Sequence, residues 1–273
     1  MEWKDYCLSK ENELQKMFPN KNIKNPKKLS EKIQWLKIHD VSLLKSYCAD
    51  KIKLREYCKE KLGIDICIPI LAIYDKPEQI EWDKLPNKFV IKCNHGSGYN
   101  IVVNNKDKLN KNDVNKTLNK WINEKYGLLT FELHYNLIKP KIFIEEFKDF
   151  NGKTLADYKI WCFNGEPKFF TINYDFGHGN INFYNMNGEF LDISRTDFPS
   201  NKNRKDDMPK SLNKMIEYAK ILSKDFKLVR VDFYEIDNQP ILGELTFTPS
   251  SGNLSFKNIN TDEELGKFLE LYV

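Results

Sequence analysis

The chain has 273 residues and a mass of 32.3 kDa, which is enough for one large mixed domain or for two to three interleaved subdomains. Hydrophobic residues make up 41% of the chain, charged residues make up 30%, and the mean hydropathy is -0.60. These values exclude collagen-like, disordered and membrane-spanning chains. The net charge of +4, with basic residues spread along the chain, argues against a nucleic-acid-binding protein.

The six cysteines, together with the polar N-terminal segment, predict a cytoplasmic protein with free thiols. No pair of cysteines has the C-x-x-C spacing of a zinc or redox site. The first residues are too polar for the apolar core of a signal peptide. No apolar run is long enough for a transmembrane segment.

The first half of the chain predicts helices, then a strand pair, then another helix. Apolar periodicity predicts helices over residues 31–38 and 50–62, the second with Asp50 as N-cap and Gly63 after its last residue. Residues 89–93 and 99–103 are predicted strands on either side of a glycine-rich loop. A helix over residues 113–126, closed by Gly127, is expected next.

The second half is predicted to be mostly strands. They cover residues 141–147, 157–163 and 168–174, with a turn at Asn164-Gly165 and a hairpin over residues 183–193. A helix over residues 209–224 precedes a last hairpin of residues 228–236 and 241–247, and the final helix begins at Thr261 with capping-box spacing to Glu264. This order predicts an α+β, or mixed α/β, protein of interlocked subdomains.

The last hairpin carries the strongest chemical signal. If its turn is centred near Asn238, Asp232 lies opposite Glu244 and Arg230 lies opposite Thr246, all on one face. Two opposed carboxylates repel each other unless a proton or cation lies between them, and Mg²⁺ prefers such oxygen ligands. The alternative is a solvated outer face on which Arg230 balances the two acids.

Two further lysines suit phosphate binding. Lys92 lies in an apolar strand next to the loop His95-Gly96-Ser97-Gly98, where small residues would let backbone N–H groups approach phosphate oxygens. An ordinary hairpin with an exposed lysine is the alternative. Asp157 and Lys159 share one face of a strand and could reach phosphate and ribose groups, or could form a surface ion pair.

Seven short stretches, taken in order, resemble the ATP-grasp superfamily and, within it, the TupA-like branch associated with surface polysaccharide and teichuronopeptide synthesis. They are residues 31–36, 50–57, 89–98, 144–147, 157–159, 230–234 and 243–247. The resemblance implies an ATP-grasp fold with the nucleotide between two lobes. We expect a subdomain of residues 1–85, a small lobe of residues 86–145 and a large lobe of residues 146–273.

The resemblance also implies a role for each site residue. Lys51 and Lys92 would bind the ATP phosphates, and Asp157 would bind the ribose. The loop over the triphosphate would be Gly96, Ser97 and Gly98, and the adenine hinge would be Glu145, Glu146, Phe147 and Lys148.

The implied catalytic and metal groups lie on the later strands. Asp232 and Glu244 would bind Mg²⁺ or Mn²⁺, with Thr246 as a possible third ligand where many superfamily members have asparagine. Arg230 would face the transferred phosphate, and Lys159 would assist catalysis.

The implied activity is ATP-dependent joining of a carboxylate, by family context a uronic acid, to an amine through an acylphosphate. A glycosyltransferase and a nucleotide-binding protein without ligase activity are the alternatives. Residues 176–207 are expected to shape the acceptor site, with His178, Arg195, Arg204 and Lys205. The sequence leaves the oligomeric state open.

Overall fold

A computed structural model describes residues 2–148, 156–174 and 179–272. Its strands are β1 (Ile70–Tyr74), β2 (Phe89–Cys93), β3 (Asn100–Val103), β4 (Ile142–Glu146), β5 (Asp157–Phe163), β6 (Glu166–Asn173), β7 (Ile181–Asn185), β8 (Phe190–Leu191), β9 (Leu228–Ile236) and β10 (Gln239–Thr246). Its helices are α1 (Trp3–Ser9), α2 (Glu11–Met17), α3 (Leu29–His39), α4 (Leu43–Ala49), α5 (Leu54–Leu62), α6 (Lys111–Asn123), α7 (Tyr126–Thr130), α8 (Leu212–Ser223) and α9 (Thr261–Gly266).

The smaller sheet is antiparallel, with strand order β1-β4-β2-β3. Burial alternates along β2, so Phe89, Ile91 and Cys93 face one side. That side packs against Val114 and Leu118 of α6. The opposite face carries Val90 and Lys92 and is only partly covered.

The larger sheet is also antiparallel, with strand order β10-β9-β5-β6-β7-β8. Its apolar face forms the main core against α5 and α8, where Met215, Ala219 and Leu222 are buried. On the other face, α3 and α9 cover the aromatic side chains of β5 and β6, including Trp161 and Phe169. The rest of that face, at β9 and β10, is polar.

The structure confirms the mixed helix-and-sheet fold and corrects several element boundaries. Asp50 does not cap α5. It accepts hydrogen bonds from the backbone N–H groups of Ile52 and Lys53, in a turn that precedes the helix. Gly127 lies inside α7 because α6 ends at Asn123. Thr261 is the first residue of α9, so no capping box forms there.

The predicted domain boundaries stay predictions, but the smaller sheet joins strands from both sides of one of them. It takes β1 from residues 1–85, and β4 crosses the boundary at residue 145. All six cysteines are free thiols. Within the described ranges, no helix combines the length and apolar character that spanning a bilayer requires.

Candidate active site

The register of the β9–β10 hairpin decides which side chains meet at the site. The turn consists of Asp237 and Asn238 alone, both with positive φ, so pairing resumes at Gln239 and not after residue 240 as the sequence predicted. A continuous ladder from that turn would place every later pair one residue away from the predicted register. A bulge at Gly243 supplies the extra residue and restores the predicted pairing.

The bulge turns Glu244 toward the polar face of the larger sheet. Without it, Glu244 would pair with Val231 and point into the apolar core, because a one-residue shift moves a side chain to the other face. With it, Glu244 lies opposite Asp232 and Thr246 lies opposite Arg230, as predicted. The core face then receives Val229, Val231, Phe233, Leu245 and Phe247, also as predicted.

Asp232 is held by two cations. The Arg230 guanidinium donates through Nε to Oδ1 at 2.7 Å and through Nη2 to Oδ2 at 2.6 Å. Lys159, which lies opposite Asp232 on the neighbouring strand, donates to Oδ2 at 2.9 Å and lies 3.3 Å from Asp157. Burial disfavours the charged form of Lys159, but the neighbouring carboxylates outweigh burial and raise its pKa.

Glu244 has looser contacts. It accepts a hydrogen bond from the Thr246 hydroxyl at 2.9 Å, while Lys51 and Arg230 both lie 3.7 Å away. Burial would raise the pKa of Glu244, but the nearby cations and the Thr246 bond lower it to about 2. The side chain therefore stays ionised at neutral pH.

The oxygen set on this face fits a hard divalent cation. Two opposed carboxylates, Asp232 and Glu244, lie beside the hydroxyl of Thr246, and Mg²⁺ commonly takes one or two carboxylates together with substrate phosphate oxygens. Among the described residues, no group of three or more His, Cys, Asp or Glu side chains is placed to hold a metal. A metal here would therefore complete its coordination with oxygens of the substrate or of water.

Lys51 connects the polar face to the smaller sheet, whereas Lys92 lies within the smaller sheet. Lys51 donates to the backbone carbonyl of Gly96 at 2.7 Å and also approaches Glu244, so it links the glycine-rich loop to β10. Lys92 forms an ion pair with Glu145 at 2.5 Å, and Glu145 lies on the neighbouring strand β4. Lys51 thus lies between the two sheets, and the ion pair of Lys92 is with a carboxylate of its own sheet.

The glycine-rich loop is packed on aromatic rings. A Cβ on Gly96 would lie 2.6 Å from Cε2 of Tyr99 and 3.0 Å from the Tyr126 ring, so only glycine fits there. Gly98 has φ +77, which also favours glycine. His95 is buried, and its Nε2 lies 3.0 Å from the carbonyl oxygen of Trp121, so it is a packed histidine.

The remaining predicted residues form fewer contacts. Lys148 pairs with Glu146 at 2.8 Å, and Phe147 lies under the Lys88 ammonium at 5.4 Å. Asp157 joins the cluster through Lys159, and burial raises its pKa. His178 lies outside the described residues, and so does most of the segment between Lys148 and Asp157.

A strained turn next to β10 was not predicted. Ser250, Ser251 and Gly252 have φ values of 52, 51 and 72, so two non-glycine residues lie in the left-handed region. Such strain persists only where surrounding contacts hold it. Here Lys37 donates to the Ser251 carbonyl at 2.9 Å, and Arg195 donates to the Ser250 hydroxyl at 2.8 Å.

The partners of this turn gave little signal in the sequence. Lys37 and Gln34 lie more than 200 residues before it, and both look like ordinary polar positions of an amphipathic helix. Arg195 was expected near the acceptor site, and its contact with Ser250 brings it to the turn that follows β10.

Residues 31–270 match the family model described as TupA-like ATP-grasp. The chain belongs to the TupA-like ATP-grasp family. None of the curated proteins matches it. The family model covers the two sheets, the glycine-rich loop and every predicted site residue, so membership confirms the ATP-grasp fold.

Several solved structures resemble this TupA-like ATP-grasp protein weakly. D-alanine–D-alanine ligase from Helicobacter pylori shares 20% identity with a TM-score of 0.43, covering 82% of this chain and 61% of that one. Phosphoribosylamine–glycine ligase from Thermotoga maritima shares 15% identity with a TM-score of 0.42, over 77% of this chain and 50% of that one. D-alanine–D-alanine ligase from Bacillus anthracis, complexed with ATP, shares 15% identity with a TM-score of 0.41, over 74% and 54%. This chain thus spans only 50% to 61% of their lengths.

Proposed function

We propose that this protein is an ATP- and Mg²⁺-dependent ligase that joins a carboxylate to an amine. One observation carries the proposal: the opposed carboxylates of Asp232 and Glu244 share a polar face with Arg230 and Lys159. Opposed acids beside several cations suit a bound polyphosphate with a divalent metal. Membership in the ATP-grasp family supports ligase chemistry at such a site.

The reaction has two balanced steps. In the first, a carboxylate oxygen of the substrate attacks the γ-phosphorus of ATP, the bond to the β–γ bridging oxygen breaks, and an acylphosphate and ADP form. In the second, an amine attacks the acyl carbon, phosphate leaves with the electron pair of the C–O bond, and the amine loses a proton. The products are an amide, ADP and phosphate.

The chain's cations would neutralise the charge that collects in the first step. Lys51 and Lys92 would bind phosphate oxygens from the side of the smaller sheet, and Arg230 and Lys159 from the larger sheet. Bound Mg²⁺ would add a Lewis acid at the phosphate oxygens. The glycine-rich loop would exclude water, which matters because an acylphosphate hydrolyses.

The substrate class rests on the TupA-like branch alone. We propose a hexuronic acid, in a nucleotide sugar or a growing surface polysaccharide, as the carboxylate, and an amino acid or amino alcohol as the amine. The part of the chain with Arg195 and the turn after β10 would face this acceptor.

The decisive experiment measures ADP release from ATP with a panel of uronic acids and amines, each omitted in turn. We expect release to need both substrates, and hydroxylamine in place of the amine to trap a hydroxamate. A nucleoside diphosphate released from a sugar donor with ATP unchanged would point to a glycosyltransferase. Nucleotide binding without amine-dependent ADP release would contradict ligase activity.

A variant pair tests the phosphate lysines. Lys92→Ala should weaken ATP binding measured by calorimetry, because it removes a cation from the proposed phosphate site. Lys84→Ala is the matched control, since Lys84 also pairs with a glutamate, Glu81, but on an exposed surface. Equal ATP affinity in the two variants would contradict the placement of Lys92.

A further inference from the structure

Each of the four predicted cations of the site has a partner within the protein. Arg230 and Lys159 hold Asp232, Lys92 holds Glu145, and Lys51 holds the Gly96 carbonyl. Four cations therefore face four acids, since Asp157 and Glu244 complete the set. The site neutralises itself.

Asp232 is the acid most completely occupied. Its two oxygens accept three short hydrogen bonds from two positive groups, and its side chain is only 7% exposed. A divalent metal bound to either oxygen would lie next to the Arg230 guanidinium or the Lys159 ammonium. Like charges at such a distance repel strongly in a partly buried site.

Polyphosphate oxygens are alternative acceptors for the same donors. An arginine binds phosphate with the same fork that it uses for a carboxylate, so Arg230 can exchange Asp232 for a phosphate without losing hydrogen bonds. That exchange frees the Asp232 oxygens at the moment when phosphate oxygens, the other ligands that Mg²⁺ prefers, arrive.

We infer that Arg230, assisted by Lys159, is an internal counter-ion that keeps the Asp232–Glu244 pair closed to divalent metal until nucleotide phosphates draw the two cations away. The inference rests on the proposed nucleotide site and adds a rule of binding to it: metal and nucleotide bind with positive coupling. By linkage, each raises the affinity of the other by the same factor.

The chain contains two matched controls for this role. Arg195 with Asp197, and Arg204 with Asp206, have the same Arg-x-Asp spacing and the same fork through Nε and Nη2. In the strand ladders of the described residues, neither aspartate is paired with a second carboxylate in the way that Asp232 is paired with Glu244. Removing either of these arginines should therefore not create a metal site.

The test measures Mn²⁺ binding to nucleotide-free protein by electron paramagnetic resonance of the unbound ion. We expect Arg230→Met to bind Mn²⁺ at least about 5-fold more tightly than the wild type, the lower end of typical coupling. Lys159→Met should give a smaller gain, because Lys159 makes one bond to Asp232 where Arg230 makes two. The gain should disappear in Arg230→Met/Asp232→Asn, and Arg204→Met should resemble the wild type.

Two results would overturn the inference. One is wild-type protein that binds Mn²⁺ as tightly without nucleotide as with a non-hydrolysable ATP analogue. The other is a folded Arg230→Met and a folded Lys159→Met that both bind no more Mn²⁺ than the wild type. Circular dichroism and a thermal shift with Mn²⁺ confirm folding and binding independently.

The outcome is separate from that of the ligase proposal. The metal experiment needs no carboxylate, amine or turnover, so it can succeed while ADP release fails. Conversely, amine-dependent ADP release by a wild type that binds Mn²⁺ equally well with and without nucleotide would keep the ligase and remove the counter-ion role.

Discussion

Two Arg-x-Asp forks of this protein have the same spacing and opposite surroundings. In the Arg204–Asp206 fork, the Asp206 oxygens also accept hydrogen bonds from the neutral groups of Asn182 and Tyr184, at 2.9 Å and 2.7 Å. The Arg204 guanidinium also donates to two backbone carbonyls. Every partner is fixed by the fold, and the Asp206 side chain is fully buried.

In the Arg230–Asp232 fork, two of the additional partners are charged, and the third is the neutral hydroxyl of Thr246, to which Arg230 Nη2 donates at 3.3 Å. Lys159 bonds to Asp232, and Glu244 lies 3.7 Å from Arg230. These groups can change partners when a charged ligand arrives, whereas the neutral partners of Asp206 gain nothing by doing so. An Arg-x-Asp fork can therefore be a structural contact or, as we propose for Arg230–Asp232, a binding element, according to what the neighbouring strands place opposite it.

The largest expected effect is on the Arg204–Asp206 fork. Asp206→Asn should lower the free energy of unfolding by about 3–5 kcal/mol, because it leaves the Arg204 charge unpaired. Asp232→Asn should cost less, since Glu244 and Asp157 still neutralise Arg230. Urea denaturation of both variants checks the difference. A greater loss for Asp232→Asn would break the comparison.

The next largest effect is on the Arg230–Asp232 fork and concerns enzymatic activity. Glu244→Gln places a neutral amide opposite Asp232, so that the surroundings of Asp232 resemble those of Asp206. We expect amine-dependent ADP release to fall by about 10²–10³-fold, the usual loss when one electrostatic contact to the transition state is removed. Glu166→Gln, an exposed acid paired with Lys220, is the control. Turnover within 10-fold of the wild type would remove Glu244 from the metal set.

Lys37 is a buried cation that belongs to neither fork, and it shows the effect of burial on pKa where the hydrogen-bond acceptors are neutral oxygens. Lys37 donates to neutral oxygens of Thr130 and Ser251, and burial lowers its pKa to about 8 from its ordinary value of 10.5. Between these pH values the unfolded chain holds a proton that the folded chain has lost, so stability should rise with pH by about 3 kcal/mol.

Lys37→Met removes this titration and supplies the comparison. The free energy of unfolding of the wild type relative to Lys37→Met should increase between pH 8 and pH 10.5 and stay constant between pH 6 and pH 7. Urea denaturation at these pH values measures it. A difference independent of pH would show that Lys37 keeps its proton in the folded protein.

The smallest effect concerns the bulge at Gly243, which brings Glu244 opposite Asp232. Gly243→Ala places a Cβ 3.0 Å from the Tyr234 ring and 3.3 Å from the Asp232 carbonyl. We expect a loss of about 1–3 kcal/mol in the free energy of unfolding, the usual cost of overpacking. Mn²⁺ affinity in the presence of an ATP analogue should also fall, because Glu244 would move. A gain in stability would show that the bulge relaxes without cost.

Much of the site was predictable because it depends on strand alternation. Side chains two residues apart share a face, so Arg230 and Asp232 could be assigned to one face from local sequence alone. Their pairing with Glu244 was predicted correctly, although the predicted turn was one residue out and the Gly243 bulge compensated for it. A bulge has no reliable local pattern, since glycine in a strand also marks close packing.

The contacts of Lys92 and Lys51 could not be predicted in the same way. Lys92 pairs with Glu145, more than 50 residues away, and Lys51 reaches the glycine-rich loop and Glu244 from a turn before α5. The Lys92 contact depends on the pairing of β2 with β4, and the Lys51 contacts depend on how the two sheets pack. The strained turn at Ser250 and Ser251 also depends on distant partners, because neither serine favours that backbone.

The sequence itself determined the order of strands and helices and the polar face of the last hairpin. Its length and composition also allowed interleaved subdomains. Periodicity and turn chemistry act over a few residues, and they specify elements and faces. The tertiary structure decided which of three identical Arg-x-Asp spacings lies opposite a second acid. That choice depends on the register of strands that are distant in the chain, and a single bulged residue sets it.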